Sequence, residues 1–168
     1  DLGRGLDIVV NNVGGNSTRA TIDYALDDVR RIFELNVMTA FEICRMAQPL
    51  LLRHGGGAIV NVGSVSGMTA VRTGSPYGMS KAAVTQLTRN LAVEWAAHGI
   101  RVNAVRPGII DTDIHASGGQ PDRAEKMSVN VPVRRAGTAD EVAQAVLWLL
   151  SDAASYSTGT VVTVSGGR

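Results

Sequence analysis

Tyr77 and Lys81 stand four positions apart in the run Y-G-M-S-K. On a helix that spacing puts a phenol and an ammonium on one face, one turn from each other. A nearby positive charge favours the phenolate, so this phenol is expected to give up its proton more easily than a free tyrosine. Ser64 adds a hydroxyl thirteen positions before the tyrosine. Those three groups, if brought together, suit acid–base work on a carbonyl or an alcohol. A Tyr and a Lys one turn apart are by themselves an ordinary surface pair, so the surrounding elements decide.

Residues 59–62, I-V-N-V, read as a buried parallel strand. Gly63 and Ser64 end it, at the carboxyl end where open α/β sheets place their ligand sites. Pro76, a good first-turn residue, then opens a helical run that stops at His98-Gly99. Upstream, L-D-I-V-V at residues 6–10 is a strand running into N-N-V-G-G-N, a loop whose backbone can approach a ligand closely. The same loop is equally an ordinary Asn/Gly turn. Residues 25–53 carry helical spacing throughout, with Asn36 in the middle. An amide there competes for backbone hydrogen bonds and needs a partner if buried. Residues 100–105, I-R-V-N-A-V, form a third strand that meets R-P-G-I-I-D-T-D. Thr138 and Glu141 form a capping box ahead of V-A-Q-A-V-L-W-L-L, and T-V-V-T-V is the last strand.

The 168 residues are 45% hydrophobic and 18% charged, which fits one globular domain with a sizeable core. A net charge of +1 without a basic run argues against nucleic acid or an anionic membrane surface as partner. No stretch reaches the length of a spanning helix and no charged-then-apolar leader opens the chain. Cys44 is the single cysteine, so no internal disulfide forms; it reads as a small core residue, and the compartment as reducing and cytoplasmic. No metal-ligand pattern is read. Trp95 and Trp148 read as core or interface packing.

Ser64 with Y-G-M-S-K, N-N-V-G, the mid-helix Asn36 and the P-G turn resembles the catalytic signature of the short-chain dehydrogenases/reductases. The resemblance implies an α/β fold: the C-terminal part of a Rossmann-type doubly wound sheet. Four parallel strands, near Leu6, Ile59, Arg101 and Val161, would carry helices on both faces in one partial domain over residues 1–168. It implies NAD- or NADP-dependent oxidation or reduction of a small-molecule alcohol or carbonyl. Tyr77 would be the acid–base group, Lys81 would lower its pKa and bind the nicotinamide ribose, Ser64 would hold the substrate oxygen, and Asn36 would hold a relay water. Asn11 would brace the sheet, with Asn12 and Gly14 along the ribose. Pro107 and Gly108 would lie beside the nicotinamide, and Ile110 and Thr112 on its carboxamide and phosphate side. Val13 stands where alanine is usual, and Arg106 precedes the P-G turn where many relatives carry a small residue. Residues 113–133 would be the substrate lid; their H-A-S-G-G resembles a bacterial subgroup of uncharacterised oxidoreductases. His115 is either a substrate contact or an exposed loop side chain. The resemblance further implies a homo-dimer or tetramer, built on a two-fold contact between the helices at 25–53 and 76–97.

The T-G-x-x-x-G-x-G loop of that family has no counterpart in these 168 residues, so the resemblance covers roughly the later two-thirds of its fold. That loop and the helix behind it cradle the pyrophosphate. The polypeptide taken alone is therefore expected to bind either cofactor weakly. The alternative to an oxidoreductase is a truncated or proteolysed fragment, or a non-catalytic module, with its catalytic set intact and no competent cofactor site.

Overall fold

The structure, a computed structural model, describes residues 5–117 and 119–168. The opening residues 1–4 and Gly118 of the expected lid lie outside the described residues.

Four short apolar segments make one parallel sheet in the order β1-β2-β3-β4: Ile8–Asn11, Gly57–Val62, Ile100–Pro107 and Val161–Val164. Parallel neighbours need a crossover, and helices supply each one. Successive residues of β2 face opposite ways, so Ile59 and Val60, both fully buried, serve two separate cores. On Ile59's side lie Cys44, Ala47 and Leu51 of α2 (Thr39–Arg53) and Leu91, Ala92 and Trp95 of α3 (Ser75–Trp95). On Val60's side lies Leu149 of α6 (Ala139–Leu150), with Val105 of β3. Helices on both faces are thus required by a sheet apolar on both. Trp95 is core, as expected, whereas Trp148 lies 43% exposed on the outer side of α6.

The helix ends follow local chemistry. Gly74, with φ of 83°, precedes α3, and Pro76 sits in its first turn. A 3₁₀ turn, Ala96–His98, closes that helix onto Gly99, whose φ of 71° places it in the left-handed region. Thr138 accepts from the Glu141 amide at 3.2 Å and the Glu141 carboxylate accepts from the Thr138 amide at 2.9 Å, the capping box read from the sequence.

Two stretches add detail to the sequence reading. Residues 25–53 are helical as read, from Leu26 to Arg53, with a π turn, Glu34–Met38, between α1 (Leu26–Phe33) and α2. The expected lid holds two short helices, α4 (Ile114–Ser117) and α5 (Arg123–Ser128). Both are too short to stand alone, and α5 is held by Ala124, buried with Ile109 and Val131. Among the described residues no helix is long and apolar enough to cross a membrane, and no three His, Cys, Asp or Glu side chains gather as metal ligands.

The turn after β2 rides directly on α3. A Cβ on Gly67 would stand 2.8 Å from the Lys81 carbonyl carbon, and one on Gly78 would stand 2.8 Å from the Ser66 oxygen. Backbone cannot swing aside as a side chain can, so Gly67→Ala must lift the turn from the helix. We expect that variant to lose about 1–3 kcal/mol of stability, measured as a lower urea midpoint.

Candidate active site

Ser64 ends the first stretch of extended chain after β2. Its Oγ accepts from the Ser66 amide at 3.2 Å and so fixes the 3₁₀ turn Val65–Gly67. The same hydroxyl lies near enough to the Tyr77 phenol to favour its ionised form. Tyr77 stands in the first turn of α3, its amide donating to Gly74 O at 3.0 Å. Lys81 lies one turn further on, buried, and Nζ donates to the Val62 carbonyl at 2.9 Å. Three groups from a strand end and a helix therefore meet, as their spacing predicts.

Asn36 joins them from the opposite side. It is 1% exposed, and the partner its burial demands is double: Nδ2 donates to Gly15 O at 3.0 Å and to Ser80 Oγ at 2.9 Å, while Oδ1 accepts from Gly15 N at 2.8 Å. Ser80 passes the tie on, donating to the Tyr77 carbonyl at 2.8 Å. Both N–H groups of the amide are taken, so the Asn36 side chain is a brace between the β1 loop and α3. Gly14, in that loop, leaves room for it: a Cβ there would lie 3.1 Å from both Asn36 Oδ1 and Lys81 Nζ. A second amide relay runs below. Asn11 Nδ2 donates to Asn61 Oδ1 at 2.8 Å, and Asn61 Nδ2 donates to Thr88 Oγ1 at 2.9 Å. Asn11 thus ties β1 to β2. Gly15, Ser80 and Thr88 escaped the sequence reading; the one available signal was Ser80's place between Tyr77 and Lys81, three positions after the tyrosine.

The electrostatics correct one expectation. The Lys81 ammonium is drawn to Val62 and lies 5.8 Å from the Tyr77 ring centroid, and the phenol is raised where a lowered value was expected. Burial pushes the phenol above its ordinary value, opposed by the Ser64 hydroxyl and by the charge of Arg123. Burial also lowers Lys81, to about 8. Cys44, facing Asn11 from the core, is pushed up to about 11 by its burial.

The remaining predicted positions line the same carboxyl edge of the sheet. Asn12 is exposed just after β1, and Pro107 ends β3. Gly108 donates to Val164 O at 2.9 Å and packs so closely that a Cβ would stand 2.8 Å from the Ser165 Cα. Ile110 bridges to Gly137, and Thr112 is an exposed loop residue whose carbonyl accepts from the His115 amide at 3.4 Å. His115 itself turns inward to the Ile110 carbonyl, 2.8 Å from Nε2. Those two positions are tied to the lid and the segment before α6, apart from the knot around Lys81. Arg106 is buried, its Nη1 2.7 Å from Met68 Sδ. The donor set fits a nucleotide's sugar: Lys81 spends one of its three N–H groups on Val62, beside a loop that Gly14 keeps clear.

A family profile described as enoyl-(acyl carrier protein) reductase matches residues 2–168. The chain belongs to the short-chain dehydrogenase/reductase family. As a member it is 46% identical over 172 residues to the uncharacterized oxidoreductase YgfF of Escherichia coli, covering 97% of this chain and 68% of that one. A solved 7-alpha-hydroxysteroid dehydrogenase, complexed with NADH and 7-oxo glycochenodeoxycholic acid, superposes with a TM-score of 0.90 at 38% identity, over 98% of this chain and 64% of that one. A gluconate 5-dehydrogenase from Burkholderia cenocepacia, in complex with NADP and tartrate, does so at 0.90 and 29% identity, over 97% and 64%. The short-chain dehydrogenase/reductase chain described here thus spans about two thirds of these relatives' lengths.

The depressed Lys81 has a thermodynamic consequence with a definite sign. Its folded value, about 8, lies below the ordinary 10.5, so from about pH 8 upward the unfolded chain binds more protons and stability rises with pH. Cys44 and Tyr77, both raised, work in the opposite direction once the unfolded thiol begins to ionise near 9.0. Urea midpoints of this polypeptide are expected to rise between about pH 8 and 9, and Lys81→Met is expected to abolish that rise.

Proposed function

We propose that these residues are the catalytic portion of an NAD(P)-dependent oxidoreductase acting on an alcohol or carbonyl, with Tyr77 as its acid–base group. The observation that carries the reading is the Ser64–Tyr77–Lys81 arrangement: a hydroxyl near the phenol and a buried ammonium one turn below it, braced by Asn36. In reduction Tyr77 gives its proton to the substrate oxygen, and in oxidation it takes one from the hydroxyl. Ser64, fixed by the Ser66 amide, holds that oxygen beside the phenol. The raised Tyr77 keeps the phenol protonated at neutral pH, ready as an acid. The bound nicotinamide supplies or accepts the hydride. Lys81, Tyr77, Asn12, Gly14, Pro107, Gly108, Ile110 and Thr112 are the residues that would hold it. The solved relatives carry NADH in one case and NADP in the other, and both remain in the proposal.

Tyr77→Phe removes one oxygen and no packing. In the intact protein, turnover of a carbonyl panel followed by NADH and NADPH absorbance is expected to fall at least about 100-fold, with the urea midpoint nearly unchanged. Near-normal turnover would exclude Tyr77 as the proton donor.

Assembly belongs to the same proposal. Phe41 and Met46 of α2 and Met79 and Val93 of α3 are 41%, 61%, 55% and 84% exposed, an apolar surface that a two-fold homo-dimer contact, or a tetramer built on it, would cover. Light scattering at micromolar concentration is expected to give a dimer or tetramer, and Met46→Asp with Val93→Asp to give a monomer; a monomeric parent protein contradicts the proposal.

A further inference from the structure

The lid brings Arg123 towards the site, a cation that forms no ion pair among the described residues. Helix α5 is seated by Ala124, 6% exposed, among Ile109, Val131 and Met127, and this fixes the position of Arg123 at its start. Arg123 Nη1 donates to Gln120 Oε1 at 2.8 Å, and Gln120 Nε2 donates to Thr18 Oγ1 at 3.0 Å. Thr18 belongs to the loop pinned on one side to Asn36 through Gly15. On the other side the Arg19 carbonyl accepts from the Gly74 amide at 3.0 Å, and Gly74 O in turn accepts from Tyr77 N. The latch Arg123–Gln120–Thr18 therefore closes the lid over the first turn of α3, where the phenol stands. The positive charge of Arg123 thereby bears on the Tyr77 phenol.

Asp28 pairs with Arg19 at 2.8 Å, and Asp122, next to Arg123 in sequence, pairs with Lys126 at 3.4 Å. Among the described residues Arg123 forms no ion pair, and Gln120 occupies one of its five N–H groups. A half-buried guanidinium without a carboxylate, held by an amide so that its fork is left over, is arranged for an anion that arrives with the ligand.

We propose that Arg123 reads the substrate: the alcohol or carbonyl turned over at Tyr77 carries a carboxylate, which the free N–H groups of Arg123 take bidentately while Gln120 holds the guanidinium in place. This rests on Tyr77 being the acid–base group. Arg123 is a specificity residue: its charge bears on the Tyr77 phenol, but it neither gives nor takes the transferred proton.

The test uses the intact protein with pyruvate, acetoacetate and 4-oxopentanoate, each beside its methyl ester, and cyclohexanone as a neutral control. For at least one pair the acid is expected to exceed its ester in kcat/KM about tenfold or more, chiefly through KM. Arg123→Gln is expected to abolish that preference, leaving acid and ester within about twofold of each other, and Arg123→Lys to restore part of it. Esters used as well as acids in every pair, or an acid preference that survives Arg123→Gln, would overturn the proposal and leave the acid–base reading standing. Failure of all seven compounds, cyclohexanone included, would overturn both.

Discussion

A buried ammonium resting on a backbone carbonyl is the constraint around which this molecule is assembled. Lys81 is 5% exposed, and a cation that deep is tolerated only with its hydrogen bonds in place. Its partner, Val62 O, is the last carbonyl of β2, so α3 must lie over that strand end at one fixed height and rotation. Gly67 and Gly78 make that closeness sterically feasible, and Gly14 lets the neighbouring loop reach the same point. The Ser64 hydroxyl and the Tyr77 phenol then need little else to meet, since Ser64 lies two residues beyond Val62 and Tyr77 one turn before Lys81.

What the chain discloses in advance is what local chemistry decides. The four strands are apolar runs ended by Asn, Gly, Pro or Ser, the stop of α3 needs Gly99, and α6 starts at a two-residue capping box. The π turn between α1 and α2 was not legible in the spacing. Asn36, within it, finds its partners 21 positions upstream at Gly15 and 44 downstream at Ser80. Sequence spacing could say that the amide required partners, and could not say which distant residues would supply them. The lid helices were hidden for a related reason, since tertiary contact at Ala124 holds what six residues could not hold alone.

The site follows the same division. Asn36, Ser64, Tyr77 and Lys81 were legible because helical and strand spacing brings them to one edge. The sense of the Tyr77 shift was not. Four positions on a helix place two side chains on one face, but the last torsions of a lysine decide which oxygen its ammonium meets, and here it meets Val62 and not the phenol. Arg123 carried no signal at all, being one basic residue in a polar stretch until the lid folds over the helix.

The π turn at Glu34–Met38 puts α1 and α2 out of phase. A widened turn holds one residue more than an α turn, and one residue is about 100° of rotation about the axis. The face that α1 presents is therefore not the continuation of the face that α2 presents, although the two run end to end. Loss of a single residue there would restore a regular α turn and rotate everything before it by about a quarter of a revolution. Helical regularity and the brace at Asn36 are alternatives, and this chain keeps the brace.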